Sequence, residues 1–402
     1  MYTNLTKIFY KSEKLWKETY LARFNDFNAK KLDFYVHEYG HKETFQLFYM
    51  YTEEIALLLN SIFKTHRELE GILSVVPKAA VIQFSQSCLI NEIRSSNDIE
   101  GVKSSRREIR QAYDIEQPDR YVRLWGIVSK YKSILSNASI AMKSCQDIRQ
   151  LYDDFILKEV VKTNPNNRPD GKLFRKDSVD VVTASQVVIH RGVEPEEKII
   201  KALETALKIL QDESIPDLLR IAIFHYLFGY IHPFYDGNGR ISRFITSYLL
   251  SKEVNMTVAL RLSMLIKKNR NSYYAIFKET NSFKNAGDLT PFIIQALKLI
   301  LASEKSTLVA LQKRLAKFGH YYPMLLEKTK GMDRLTQDIY TILLQATIYS
   351  DRGATIAEIS VTLNKSGKTI RNRIAQMPKQ NIKILSGYKP YHYKLNLLAA
   401  GC

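Results

Sequence analysis

Apolar residues recur every three to four positions through most of this chain. The runs "EEIALLLNSIFKTHRELEGIL", "KIIKALETALKILQDE", "PDLLRIAIFHYLFGYI" and "PFIIQALKLILASEKSTLVALQKRLAKF" all carry that spacing, which lines up one apolar stripe on a helix. The pattern predicts an all-α, mainly helical protein. The greasiest early run, "FQLFYMYTEEIALLLNSIF", contains Gln46, Glu53, Glu54 and Asn60 and reads as an amphipathic helix rather than a membrane span. No self-similarity at periods of roughly 20 to 50 residues and no low-complexity tract is present.

Two segments depart from the helical period. Between Lys162 and Glu197, proline, asparagine and glycine are followed by the β-branched runs "SVDVVT" and "QVVI", the pattern of a small β-hairpin set between helices. Around "KGMDR", Lys330 to Arg334, a polar glycine-containing stretch predicts a domain boundary. The tail beyond it shows three short helical patterns and two short strands around "SGYKPY". Within it, "TIAEISVTLNKSGKTIRNRI" has the length and turn of a helix-turn-helix, and the strands would form its wing. Ile370 and Ile374 would face the core and leave Lys368 and Arg371 exposed. From Lys365 onward, Lys368, Arg371, Arg373, Lys379, Lys383, Lys389 and Lys394 are accompanied by no acidic residue. Such a face fits DNA, and it equally fits a module that docks other proteins.

The chain has 402 residues, enough for two or three domains, and its 45% hydrophobic and 11% aromatic content argues against wholesale disorder. A formal charge of +18 points to polyanionic company without choosing among nucleotide, nucleic acid and anionic membrane. The N-terminus "MYTNLTKIFYKSEKLW" lacks the apolar core of a signal peptide. Cys88, Cys145 and Cys402 show no paired spacing, which argues against a disulfide scaffold or structural zinc and for a reducing compartment. A cytoplasmic, non-membrane protein is the simplest expectation.

The candidate chemistry sits in "YIHPFYDGNGRISRF", Tyr230 to Phe244. Pro233 disfavours helical geometry at His232, and a new helix is predicted to start near Gly237 with Ile241, Phe244, Ile245, Tyr248 and Leu249 on its apolar face. A helix N-terminus offers unpaired N–H groups and a partial positive charge. Gly237 and Gly239 tolerate positive φ and Asn238 comes next in that respect, so the turn can form an anion nest. Arg240 and Arg243 share a helix face and suit phosphate oxygens. Asp236 suits Mg²⁺, which takes few protein carboxylates, and His232 suits proton abstraction near neutrality. Phe234 is read as a core anchor and Tyr235 as an exposed rim. Each feature alone is commonly structural; together they indicate a nucleotide and its phosphates.

"HPFYDGNGRISR" resembles the signature of the Fic family, His-Pro-Phe-x-Asp/Glu-Gly-Asn-Gly-Arg-x-x-Arg, with every fixed position filled. The resemblance extends through the flanking helices and the upstream hairpin to about Ser303. It implies transfer of AMP from ATP to a protein hydroxyl. His232 would deprotonate the target Ser, Thr or Tyr, and Asp236 would hold Mg²⁺. Gly237, Asn238 and Gly239 would cradle phosphate, and Arg240 and Arg243 would bind the β and γ ends. The hairpin between Asp170 and Gly192 would be the family's flap, which aligns the target by strand addition. Family members that use UTP or CDP-choline share most of the motif, so the donor base is not legible.

Upstream, Ser96-Asn97-Asp98-Ile99-Glu100-Gly101 matches the family's inhibitory motif, Ser/Thr-x-x-x-Glu-Gly/Asn, in the N-terminal position of class II members. The resemblance implies that Glu100 pairs with Arg243 and occupies the fork needed by the γ-phosphate. In some members the glutamate also helps water remove AMP. Ser95-Ser96-Asn97-Asp98 also resembles a capping box with a glycine stop at Gly101, an ordinary short helix. Expected organisation is a helical region 1–115 with an inhibitory helix near 90–101, a Fic core 116–303, and within it a flap at about 170–192 and a catalytic loop 232–243. A connecting helix or linker 304–333 and a winged helix-turn-helix 334–402 follow. A homodimer is a further implication of the resemblance. The competing function is a nucleotide-sensing, DNA-binding transcriptional regulator acting through the tail.

Overall fold

The computed structural model describes residues 2–182, 188–385 and 390–398. Helices α1 (Leu5–Phe9) and α2 (Glu13–Phe24) open the chain, and strands β1 (Ala29–His37) and β2 (Thr44–Met50) pair antiparallel, His37 opposite Thr44. Helices α3 (Glu53–Val75), α4 (Lys78–Ile99), α5 (Arg106–Asp114), α6 (Trp125–Leu135) and α7 (Cys145–Tyr152) follow. A π-helical turn at Asp153–Leu157 leads into α8 (Lys158–Thr163). The predicted hairpin is present as β3 (Asp180–Val182) and β4 (Val188–Arg191), with Val181 opposite His190. Its tip, 183–187, lies outside the described residues.

The next stretch is helical: α9 (Glu196–Gln211), α10 (Asp217–Ile231), α11 (Asn238–Glu253), α12 (Met256–Ala259), α13 (Leu262–Lys268) and α14 (Arg270–Asn281). Helix α15 (Thr290–Thr329) runs for 40 residues along α3. Helix α10 is apolar on nearly every side, so it is buried at the centre rather than laid on the surface. It packs between α9, α11 and α15, and its C-terminal end leads into the loop that starts at His232.

Gly331 (φ +87°) turns the chain, and Asp333 caps α16 (Arg334–Tyr349) by accepting from Thr336 N. Strand β5 (Ala354–Thr355), α17 (Ile356–Leu363), α18 (Gly367–Gln376), β6 (Ile382–Leu385) and β7 (His392–Leu395) complete the tail, with sheet order β5-β7-β6. The connection at 386–389, including Lys389, and the terminus with Cys402 lie outside the described residues. Helix α16 packs on α4 and α15, and one apolar core runs from α3 and α10 into Ile339, Leu343, Ile370 and Tyr393. Among the described residues no helix is long and apolar enough to cross a membrane.

One predicted helix is wrong in its first part. Phe45–Met50 is strand, and helix begins only at Glu53, where the Thr52 side chain accepts from Ile55 N. The reason is tertiary. Phe48 N donates to the Gly287 carbonyl at 3.1 Å, and Leu289 N to the Phe48 carbonyl at 2.8 Å. Gly287 (φ +74°) carries no Cβ that would strike the Gln46 carbonyl. A distant segment thus completes pairing that the local sequence does not announce.

Candidate active site

The loop between α10 and α11 is built by short-range chemistry. His232 ends α10 at φ 52°, with its N–H on the Phe228 carbonyl at 3.0 Å, and Pro233 prevents the helix from continuing. Phe234 is fully buried and stacks on Tyr152, ring centroids 3.6 Å apart, the core anchor it was expected to be. The Asn238 side chain closes the turn by accepting from Phe234 N at 3.0 Å and donating to the Phe234 carbonyl at 2.7 Å.

The two glycines do different work, although both tolerate positive φ. Only Gly237 takes positive φ (85°); Asn238 and Gly239 already belong to α11. Gly237 fits against Ile156 and Tyr152 at the π-helical turn. Gly239 provides clearance, since a Cβ there would collide with the Glu100 carboxylate. The backbone N–H groups at the start of α11 still face the loop mouth with the dipole's positive end.

Glu100 arrives from α4. Ser95 to Asp98 lie in the last turns of that 22-residue helix, so they do not cap a new short helix; Gly101 (φ 72°) is its stop, as read. The capping box in this neighbourhood is Ser105 with Glu108, at the start of α5. Arg243 is almost inaccessible and donates to Glu100 Oε1 at 2.8 Å, to Ser96 Oγ at 3.0 Å and to the Ser96 carbonyl at 2.9 Å. Burial pulls the Glu100 pKa up, but Arg243, helped by Arg240 and His232, outweighs it and holds the carboxylate below its ordinary range. Burial opposes the Arg243 charge, and Glu100 more than restores it. Arg240 lies a turn away with Nη2 3.3 Å from Asp236 Oδ1.

His232 is poised as a base. Burial, with His190 and Arg175 adding, pushes its pKa down to about 4, against the Gly229 carbonyl and Glu100. The ring is therefore neutral at pH 7. With Nδ1 directed at the Gly229 carbonyl 3.4 Å away, Nε2 is left to accept a proton. Asp236 is 42% exposed at the loop mouth, and among the described residues no three His, Cys, Asp or Glu side chains converge as a metal cage. One accessible carboxylate beside the N-terminus of α11 fits Mg²⁺, which takes few protein carboxylates and keeps several waters.

Several residues that shape the site carried no sequence signal. Glu196 accepts from the backbone N–H groups of Lys172, Leu173 and Phe174 at 2.8, 2.6 and 2.8 Å and so fixes the approach to the hairpin. Arg175 is fully buried against the loop, its Nε on the His232 carbonyl. Glu92, buried on α4, accepts from Ser263 N at 2.8 Å and from the Ser247 hydroxyl at 3.3 Å, and burial raises its pKa to about 7. Tyr235 is tied down rather than a free rim: its hydroxyl donates to Asp170 at 2.9 Å and accepts from Asp177 N at 3.1 Å. Only the capping box at Ser105 could have been found by pattern.

The tail keeps its expected exposed cations apart from this loop. Lys368 and Arg371 are exposed on α18, with Ile370 and Ile374 buried beneath. Arg373, grouped with them in the sequence, instead pairs with Asp333 at 3.1 Å, a carboxylate supplied by the turn before α16.

Comparison with known proteins places this geometry. Residues 144–250 match the Fic/DOC family model. The chain is 27% identical over 164 residues to protein adenylyltransferase fic-1 of Caenorhabditis elegans, covering 39% of this chain and 29% of that protein. It is 29% identical over 189 residues to protein adenylyltransferase Fic of Drosophila mojavensis, covering 46% and 33%. The chain thus spans about a third of the length of these curated relatives. A solved Fic family protein from Desulfovibrio desulfuricans G20 has the same fold, with TM-score 0.53 and 18% identity over 87% of this chain and 97% of that one. Residues 144–250 are thus similar to the Fic/DOC family, and the fold is that of a solved Fic family protein.

Proposed function

We propose that this protein is an autoinhibited protein adenylyltransferase that moves AMP from ATP to a Ser, Thr or Tyr hydroxyl of a target protein. The observation that carries the reading is Glu100 seated on Arg243, 2.8 Å away, beside a neutral His232 and the N-terminus of α11. A carboxylate is held where a phosphate would be bound, and the adjacent histidine can take a proton.

In the forward reaction the His232 imidazole takes the hydroxyl proton. The hydroxyl oxygen bonds to the α-phosphorus, the bond from that phosphorus to the bridging oxygen breaks, and pyrophosphate leaves with the electron pair. Backbone N–H groups of 237–239 and the guanidinium of Arg240 stabilise the phosphate charge, and Arg243 joins them once Glu100 withdraws. Mg²⁺, held by Asp236, would neutralise phosphate charge. The choice of ATP rests on the adenylyltransferase relatives. A second role for Glu100, orienting water to remove AMP, belongs to the same proposal. The buried, unpaired Cys88 and Cys145 agree with a reducing, cytoplasmic setting.

A second reading concerns the tail alone. Helices α16 to α18 and the small sheet have the order of a winged helix, and exposed Lys368 and Arg371 on α18 favour DNA.

The test of the main reading is label transfer from α-³²P-ATP with Mg²⁺ by wild type, Glu100→Gly, and Glu100→Gly with His232→Ala. Weak, strong and absent labelling are expected in that order. No transfer by Glu100→Gly to itself or to lysate proteins would sink the reading.

A further inference from the structure

Arg175 is a fully buried arginine that makes no ion pair among the described residues. Burying a guanidinium is costly, and the usual compensation is a carboxylate. Here the compensation is backbone. Nε donates to the His232 carbonyl at 2.9 Å, Nη1 to the Asp177 carbonyl at 2.6 Å, and Nη2 to the carbonyls of Val193 at 2.8 Å and Ile231 at 3.5 Å. Asp177 precedes β3 and Val193 follows β4, so one side chain grips both legs of the hairpin. Its other two contacts are the last residue of α10, Ile231, and His232, which follows it.

An independent feature marks the same junction. Gly192 closes β4, and a Cβ there would run into the Arg175 guanidinium and come within 2.9 Å of the His232 Cβ. Backbone bonds run through the gap that this glycine leaves open: Arg175 N to the Pro233 carbonyl at 3.3 Å, Gly192 N to the Val179 carbonyl at 2.9 Å, and Val193 N to the Ile231 carbonyl at 3.1 Å.

We infer that Arg175 is a positioning residue, with Gly192 as its clearance, that locks the base of the hairpin to His232 so that a target strand laid on the hairpin meets the base. The inference rests on the transferase reading for its purpose, but the lock itself does not. A flap anchored only through its own two strands could pivot at 176–179 and 192–195. Four carbonyls held by one planar cation remove that freedom, and the fork geometry of arginine is what a lysine lacks. The charge has a second consequence. The groups that face His232 are His190 from β4, Glu100 from α4, the Gly229 carbonyl of α10 and Arg175. Arg175 is the permanent cation among them, and it opposes the carbonyls at the C-terminal end of α10, which favour a protonated ring. Glu194 and Tyr235 face Arg175 itself.

The test compares Arg175→Met, Arg175→Lys and Gly192→Ala, each in the Glu100→Gly background, by three readouts: label transfer, amide hydrogen exchange and the NMR titration of His232. Arg175→Met should lose roughly 100-fold in labelling, the cost of a misplacement near 1 Å. Exchange at 178–182 and 188–192 should speed up while α9 and α15 keep their protection, and the His232 pKa should rise. Arg175→Lys should keep the titration near that of its parent yet show the fast exchange, which separates fork from charge. Gly192→Ala keeps the arginine and should also loosen the hairpin, so the idea stays testable if Arg175→Met fails to fold. Unchanged exchange in Arg175→Lys and Gly192→Ala would overturn the lock. If the parent Glu100→Gly transfers no label, the transferase reading falls, and exchange and titration still decide the lock.

Discussion

Arg243 and Arg352 are both nearly inaccessible arginines that meet carboxylates from distant parts of the chain. One lies at the catalytic loop, the other where the tail docks. Among the described residues Arg243 meets one carboxylate, Glu100, whose side chain is 31% exposed, and its Nε and Nη2 donate to Ser96. Arg352 is enclosed. It donates to Asp114 on α5 at 2.7 Å, to Gln86 on α4 at 3.0 Å and to Glu358 on α17, while Asp114 also holds His392 at 3.0 Å. Asp114 is only 7% exposed. A single carboxylate at a solvent edge can be exchanged for another anion at little cost. A closed ring of partners cannot, because each member would be left buried and uncompensated. The first arrangement suits a switch and the second a fixture. Both reach α4, which contributes Glu100 at one end and Gln86 and Ser87 near the other; Ser87 Oγ lies 3.2 Å from Ser350 Oγ.

The comparison can be broken most directly by removing each arginine. In the Glu100→Gly background, Arg243→Ala should cut labelling by about 100- to 1,000-fold with little change in melting temperature. Arg352→Ala should do the reverse: a loss of about 3–5 kcal/mol in denaturant unfolding, with labelling per folded molecule within a few-fold of its parent. Equal effects of the two on stability would erase the distinction.

A smaller effect sharpens the switch by pH. Glu100 is held below the ordinary carboxylate range, so its pair stays intact above that range and is lost only as pH falls through its lowered pKa. His232, lowered to about 4, should stay neutral down to about that pH. Labelling by Glu100→Gly should then be nearly flat from pH 7 to 5.5, where an imidazole of ordinary pKa would be only about one-tenth neutral. A fall of about eightfold over that interval, as an ordinary imidazole gives, would contradict the environment assigned to His232. The smallest change in labelling, none, is expected of Lys368→Glu with Arg371→Glu on α18. The same pair should lower the salt slope of DNA retention by about 2 if those cations contact phosphate.

The loop between α10 and α11 was legible because its determinants are local. Pro233 stops one helix, Gly237 permits the turn, and the cations follow on the next helix within a few residues. The helical period likewise found α9, α10 and the long α15. Elsewhere local patterns misled. Phe45–Met50 resembled the start of a helix, since nothing nearby reports the Gly287 segment that pairs with it. Ser95 to Asp98 resembled a cap until the length of α4 enclosed them.

The sequence by itself determined the helical class, the hairpin and the loop between α10 and α11. These follow from the conformational limits of proline and glycine and from periodicity, which act over a few residues. Tertiary structure alone decided which charges are spent on one another. Glu100 reaches Arg243 across 143 positions, Arg352 reaches Asp114 across 238, and Arg175 is consumed by four carbonyls. Burial and pairing set the state of a charge, and both depend on neighbours that only the folded chain supplies.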